Sequence, residues 1–290
     1  MPRGLEEIAS FYLPELSAAA EGLGASPERP AAAEGLGADP QRSAAAEAQG
    51  ADPKPPAAPK PAALPILTVP VAGRDAVRAA FAWNLTVELA RLGAHATLVA
   101  PQDPEVAALW PESGRGPLGA RALLAPADDA AGLCHAALDA AVQGAAEATE
   151  GGVVVVAVPP TWLCAGNGAR PLWRWLLLWS TPEATDLCEA YGLAKLALAR
   201  GSDPLVGLVI HGVRRRAEAE SAFGRVADLA ARRLGRIPIS YGLLADDLHV
   251  FRAITARRPI GLEHPQSRAA RALRDVAGML WEDARKLEVV

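Results

Sequence analysis

The chain has 290 residues, enough for one large domain, and half of them are apolar (51%), enough for a sizeable core. Net charge is −4 but unevenly spread: 5 Lys/Arg stand against 9 Asp/Glu in residues 1–70, 9 against 13 in 71–200, and 15 against 11 in 201–290. The composition excludes a zinc finger, since Cys134, Cys164 and Cys188 lack CxxC spacing, and a membrane-spanning helix, since no apolar run reaches roughly 18 residues.

From Ala18 to Pro56 run three near-copies of a 13-residue unit: AAAEGLGASPERP, AAAEGLGADPQRS and AAAEAQGADPKPP. Gly and Pro break any helix that the alanines start, and no unit carries enough bulky apolar surface to offset its ordering entropy. Residues 17–61 are therefore predicted to be a disordered Ala/Pro/Gly-rich linker, with polyproline-like stiffening at 53–61. Ahead of it, Leu5, Ile8, Phe11 or Tyr12, and Leu16 fall at helical spacing, with Pro14 limiting any helix to about three turns. Residues 1–16 are read as a short motif that docks on a protein partner, the alternative being that it folds back on its own domain.

From residue 62 onward, strand and helix alternate. Residues 66–70 predict a strand. A helix follows, with Val77, Phe81, Leu85, Leu89 and Leu92 on one face and a stop at Gly93. Residues 96–100 form the next strand, and 128–148 a helix opened by Asp128 or Asp129. The β-branched run 153–158 reads as a central strand buried on both faces. Strands at 173–179 and 205–210 and helices at 182–200, 217–233 and 267–286 complete the chain. Such alternation predicts an α/β three-layer sandwich over 62–290, a mostly parallel sheet with helices on both faces.

Trp179-Ser180-Thr181-Pro182-Glu183-Ala184-Thr185-Asp186-Leu187-Cys188-Glu189-Ala190-Tyr191 resembles the strand-to-helix passage "TTPEPTAL-DAY" of the MinD/ParA superfamily of P-loop ATPases, in particular its MinD/FlhG-like branch. Arg236-Ile237-Pro238 with Val250-Phe251-Arg252-Ala253-Ile254 is similar to its "G-x-I-P-x-D-x-x-V-x-x-A" segment. His264-Pro265-Gln266-Ser267-Arg268-Ala269-Ala270-Arg271-Ala272-Leu273 is similar to the run into its last helix. The resemblance implies a phosphate-binding loop between the first strand and first helix, K-G-G-x-G-K-T/S in working members. Alignment on Asn84-Leu85 puts Gly73-Arg74-Asp75-Ala76-Val77-Arg78-Ala79 there. The signature Lys becomes Gly73, three glycines become Arg74, Asp75 and Val77, the phosphate Lys becomes Arg78, and the Mg²⁺ hydroxyl becomes Ala79. The second strand ends Val99-Ala100-Pro101-Gln102 without the family's D-x-D. The third ends Ala157-Val158-Pro159-Pro160-Thr161 without its Asp, and His211 stands in place of an adenine-contacting Asn.

Phosphoryl transfer rests on positioning and charge, so these losses predict a pseudo-ATPase with no cofactor and no metal. The expected function is a non-enzymatic adaptor or regulator in a bacterial positioning or assembly system, in the cytoplasm. Its partners would be an active MinD/ParA-type ATPase or a second copy of itself. Two alternatives stay open: an ATP/ADP-binding switch with slow hydrolysis, and a nonspecific DNA-binding module using the C-terminal arginines. The clusters Arg214-Arg215-Arg216, Arg232-Arg233 and Arg257-Arg258 read first as a solvated face, so DNA contact is not expected. Membrane insertion is not expected either, because the chain's end is mixed in charge and short of apolar area. Asp246-Asp247 reads as a loop pair rather than a metal site, and the five histidines as structural or surface residues. Trp173, Trp175 and Trp179 alternate along one strand face, as packed core or as an interface.

Overall fold

The computed structural model describes residues 62–72, 75–102, 110–165, 169–200 and 203–287. The predicted docking motif 1–16, the linker 17–61, and Gly73 and Arg74 of the loop lie outside the described residues.

In chain order the elements are β1 (Ile66–Pro70), α1 (Ala76–Arg91), β2 (His95–Pro101), β3 (Gly114–Arg115), β4 (Arg121–Ala125), α2 (Ala130–Glu147), β5 (Gly152–Val158) and α3 (Pro160–Ala165). They continue with β6 (Trp175–Ser180), α4 (Ala184–Arg200), β7 (Leu205–Val213), α5 (Arg216–Leu234), β8 (Ile239–Ala245), α6 (Leu248–Ala256), α7 (Ile260–Glu263) and α8 (Arg268–Lys286). The strands form one eight-stranded sheet in the order β3-β4-β2-β5-β1-β6-β7-β8. All its pairings are parallel except that of β3 with β4. Helices cover both faces, so the predicted three-layer sandwich is the architecture found. Among the described residues no helix is long and apolar enough to cross a membrane.

The run Gly-Val-Val-Val-Val-Ala-Val of β5 is buried throughout and sits between β2 and β1, as its lack of polar alternation requires. Val153, Val155 and Ala157 face one core, shared with α1 and α8, while Val154, Val156 and Val158 face the other, shared with α2, α4 and α5. Each fully buried large apolar side chain contributes roughly 1.5–3 kcal/mol. The leucines, valines and tryptophans therefore carry most of the core energy, and the many alanines let helices approach the sheet.

Helix starts follow local chemistry. Asp75, Asp129 and Ser267 cap α1, α2 and α8, each side chain accepting a backbone N–H three residues on. Asp129, not Asp128, takes that role in α2. The first helix ends as predicted, with Gly93 at φ 90° just beyond it. Leu92, expected on its buried face, is instead exposed, and Val77 is only half-buried. From Ala79 to Ala90 nearly every side chain of α1 is buried, because the sheet packs on one side and α7 and α8 on the other.

The tryptophan strand needs one correction. Trp173 lies in a 3-10 turn ahead of β6 and packs into the α4 face, whereas Trp175 and Trp179 face α1 and α8. The three do not line one face, and all are core. Three strands lie outside the sequence expectation: β3, β4 and β8.

Candidate functional site: a crevice closed by an ion-pair cluster

β1 and β6 are neighbours, but the chain leaves them in opposite directions, through α1 to β2 and through α4 to β7. Open α/β sheets place their ligands in such a crevice, at the carboxyl ends of the strands. The loop leading from β1 to Asp75 and Arg78 opens here.

Asp75 does two things. Its Oδ1 accepts the backbone N–H of Arg78 at 2.9 Å, capping α1, and its Oδ2 lies 3.2 Å from the Arg78 Nε. The Arg78 guanidinium then reaches from the first turn of α1 across the crevice to the start of α4. There Nη1 donates to Glu189 Oε2 at 3.0 Å, and Nη2 sits 3.9 Å from Asp186 Oδ2. The Arg78 side chain is only 8% exposed. Asp186 is held in turn by Thr181, whose hydroxyl donates to it at 2.6 Å while accepting the Glu183 N–H. Among the described residues one cation thus faces three carboxylates, a formal charge of −2, in the place where the resemblance puts a triphosphate. Ala79, at the Mg²⁺-hydroxyl position, is fully buried.

An aromatic stack floors the crevice. The ring of Phe81 lies 5.0 Å from that of Trp179, nearly parallel, and His211 meets Phe81 edge-on at 5.5 Å. His211 extends the predicted strand, since β7 continues to Val213. Burial, reinforced by the neighbouring Arg78 charge, lowers the His211 pKa to about 4, so the ring is neutral at pH 7. Its Nε2 is buried without a hydrogen-bond partner among the described residues, as is Oε1 of Glu189.

The other residues singled out in the sequence lie elsewhere. Asp246 pairs with Arg214 at 3.5 Å, and Asp247 caps α6 by accepting the His249 N–H while its other oxygen accepts the Ala269 N–H of α8. The clustered arginines are all exposed, and three of them are paired locally: Arg214 with Asp246, Arg216 with Glu220 and Arg258 with Glu263. Burial pushes the three cysteine thiols up, and such thiols are poor nucleophiles. Among the described residues no group of three or more His, Cys, Asp and Glu could hold a metal ion.

A second concavity has no counterpart in the sequence reading. A cavity of about 480 Å³ lies between α1, the segment 110–117 and the end of α6. Its apolar walls include Trp83, Trp110 and Ile254, and Arg115, Arg257 and Arg258 lie on its lining. Gly116 is needed there because a Cβ would come 2.7 Å from the Trp83 ring.

No known protein-family profile matches the chain, and no curated protein matches it by sequence. Solved structures do match. The MinC:MinD cell division protein complex of Aquifex aeolicus superposes with a TM-score of 0.55 at 13% identity, covering 75% of this chain and 96% of that one. The ParA family ATPase of Chlorobium tepidum TLS gives 0.52 at 13% identity, with 75% and 99% covered. The ATP complex of a McdA variant from Cyanothece gives 0.50 at 10% identity, with 79% and 99% covered. The chain therefore has the fold of the MinD/ParA-type P-loop ATPases.

Proposed function

We propose that the chain is a non-enzymatic adaptor or regulator built on a pseudo-ATPase domain, binding protein partners in a bacterial positioning or assembly system. The observation that carries this reading is the state of Arg78. A lysine or arginine that binds phosphate must present an unspent positive charge, and this guanidinium is buried against Asp75, Asp186 and Glu189. An incoming triphosphate would have to compete with those three carboxylates for the guanidinium and would meet them at close range. The residues present do not fit ATP with Mg²⁺: Asp75 takes a glycine position, and Ala79 offers no hydroxyl to the metal. The partner side of the reading draws support from the MinC:MinD complex, in which a chain of this fold is held by another protein. The motif Leu5–Leu16 would serve one partner and the folded domain another, such as an active ATPase of the same fold or a second copy.

The opposing reading, an ATP- or ADP-binding switch, makes a different prediction for calorimetry of the whole protein with ATP and Mg²⁺. We expect no heat and no rise in melting temperature at about millimolar ATP, against the micromolar affinity at which a working site would saturate. Micromolar binding that disappears in Arg78→Ala would overturn the pseudo-ATPase reading and make the protein a nucleotide switch.

A further inference from the structure

The cavity beside α1 is distinct from the crevice, and its chemistry is mixed in a particular way. Trp83, Trp110 and Ile254 give it apolar walls, while the indole Nε1 of Trp110 is buried with no acceptor among the described residues. Arg115 and Arg257 make no ion pair with any described residue, and Arg258 shares its charge with Glu263 at 3.1 Å. Glu112 is the only carboxylate among the described residues of the lining. An occupant suited to this groove is apolar along one side, carries carboxylates, and offers an oxygen to an indole N–H.

The chain itself contains such a segment. Leu5, Ile8, Phe11 and Leu16 recur at helical spacing, and Glu6, Glu7 and Glu15 outnumber the single cation Arg3. We propose that residues 5–16 dock in cis into the groove between α1 and the end of α6, an inference that rests on the reading of 1–16 as a docking motif. The 45 residues from 17 to 61 give ample reach: a flexible chain of that length spans roughly 35–40 Å on average. The radius of gyration of a domain this size is about 17 Å. A tether of this kind holds the segment at an effective concentration on the order of a millimolar. Even a contact with an intrinsic dissociation constant of about 0.1 mM would then be docked about ten times as often as free. The docked segment is a self-made competitor. A partner must outbid the groove for the motif, or an acidic, apolar partner segment must outbid the motif for the groove.

Amide hydrogen exchange of the full chain tests this. In the native protein the amides of 110–117 and 253–259 should exchange about tenfold more slowly than in a Leu5→Asp/Ile8→Asp/Phe11→Asp chain, the factor set by that occupancy. Arg115→Glu/Arg257→Glu should lose the protection, and adding Glu6→Lys/Glu7→Lys should restore it. The segment substitutions lie outside the described fold, so they test docking without touching the core. Equal exchange in the native and segment-substituted chains overturns the proposal. Protection that vanishes on dilution, together with a dimer in sedimentation, overturns docking in cis in favour of exchange between copies. The two readings fail separately: ATP binding with protection intact sinks only the pseudo-ATPase, and absent protection with no ATP binding sinks only the docking.

Discussion

A single imidazole shows how the crevice handles charge. His211 is buried against Phe81 beside the Arg78 guanidinium, and both effects keep it neutral. The unfolded chain takes up a proton on this ring near pH 6.5 and the folded chain only near about 4. In between, the unfolded state binds more protons, so stability falls as pH drops through that window and levels off below it. Between pH 7 and pH 4.5 the contribution amounts to about 2 kcal/mol. Urea unfolding at the two pH values should therefore show a smaller acid loss in His211→Asn than in the native protein, by about that amount. An equal loss in both would mean that His211 is solvated in the folded state. The ion pairs next to it resist the same tool of sequence reading. Asp75 and Arg78 are three residues apart and visible as a pair, but Glu189 lies 111 positions from Arg78, and only the fold makes them meet. Asp186 and Glu189 belong to the very stretch that resembles the MinD/ParA family, yet nothing local marks them as the partners of a loop arginine.

Among the elements, those whose pattern is carried by their own residues were legible. The valine run of β5, the helix ending at Gly93 and the strongly amphipathic α8 belong to this group. β4 was not, because Arg-Ala-Leu-Leu-Ala favours helix on propensity alone and becomes a strand only by pairing with β2 from Thr97↔Arg121 to Pro101↔Ala125. β8 was hidden in the same way: it follows Pro238 and contains Gly242 at φ 96°, and it is recruited by β7 across two irregularities in register. Its main anchor is Tyr241. The ring lies over Gly207 of β7, where a Cβ would come 2.2 Å from it, and the hydroxyl donates to Asp283 of α8 at 2.8 Å. Gly207→Ala should accordingly destabilise the protein by about 1–3 kcal/mol through overpacking, read from chemical unfolding. In a double-mutant cycle, a Gly207→Ala cost that disappears when measured in the Tyr241→Ala background would mark the loss as steric. A single Gly207→Ala change within experimental error of the native protein would show that Tyr241 moves freely.

At the scale of the whole molecule, charge is divided rather than concentrated. The final third is basic by count, but Arg214, Arg216 and Arg258 each have a carboxylate within 4 Å, which lowers the charge available to a polyanion. Duplex DNA is therefore expected to bind no more tightly than about 10⁻⁴ M at physiological salt, the weak end of nonspecific association. A fluorescence anisotropy titration that gave micromolar affinity with a steep salt slope would return the nucleic-acid reading to first place. The architecture positions the two concavities differently as well. The crevice between β1 and β6 is filled from within by charged side chains, whereas the groove beside α1 keeps its apolar walls and two guanidinium groups with no ion pair among the described residues toward a space large enough for several side chains.

The two rims of the sheet are unequal. β3, at one end, is a two-residue strand running against β4, while β8, at the other, is seven residues long with Ile239, Ser240 and Gly242 exposed. A blunted border gives a neighbouring molecule little backbone to grip, and a long one invites it. Among the described residues only the β8 border is long, so two copies paired through β8 would have short β3 borders outermost, and growth by that route would stop at a pair.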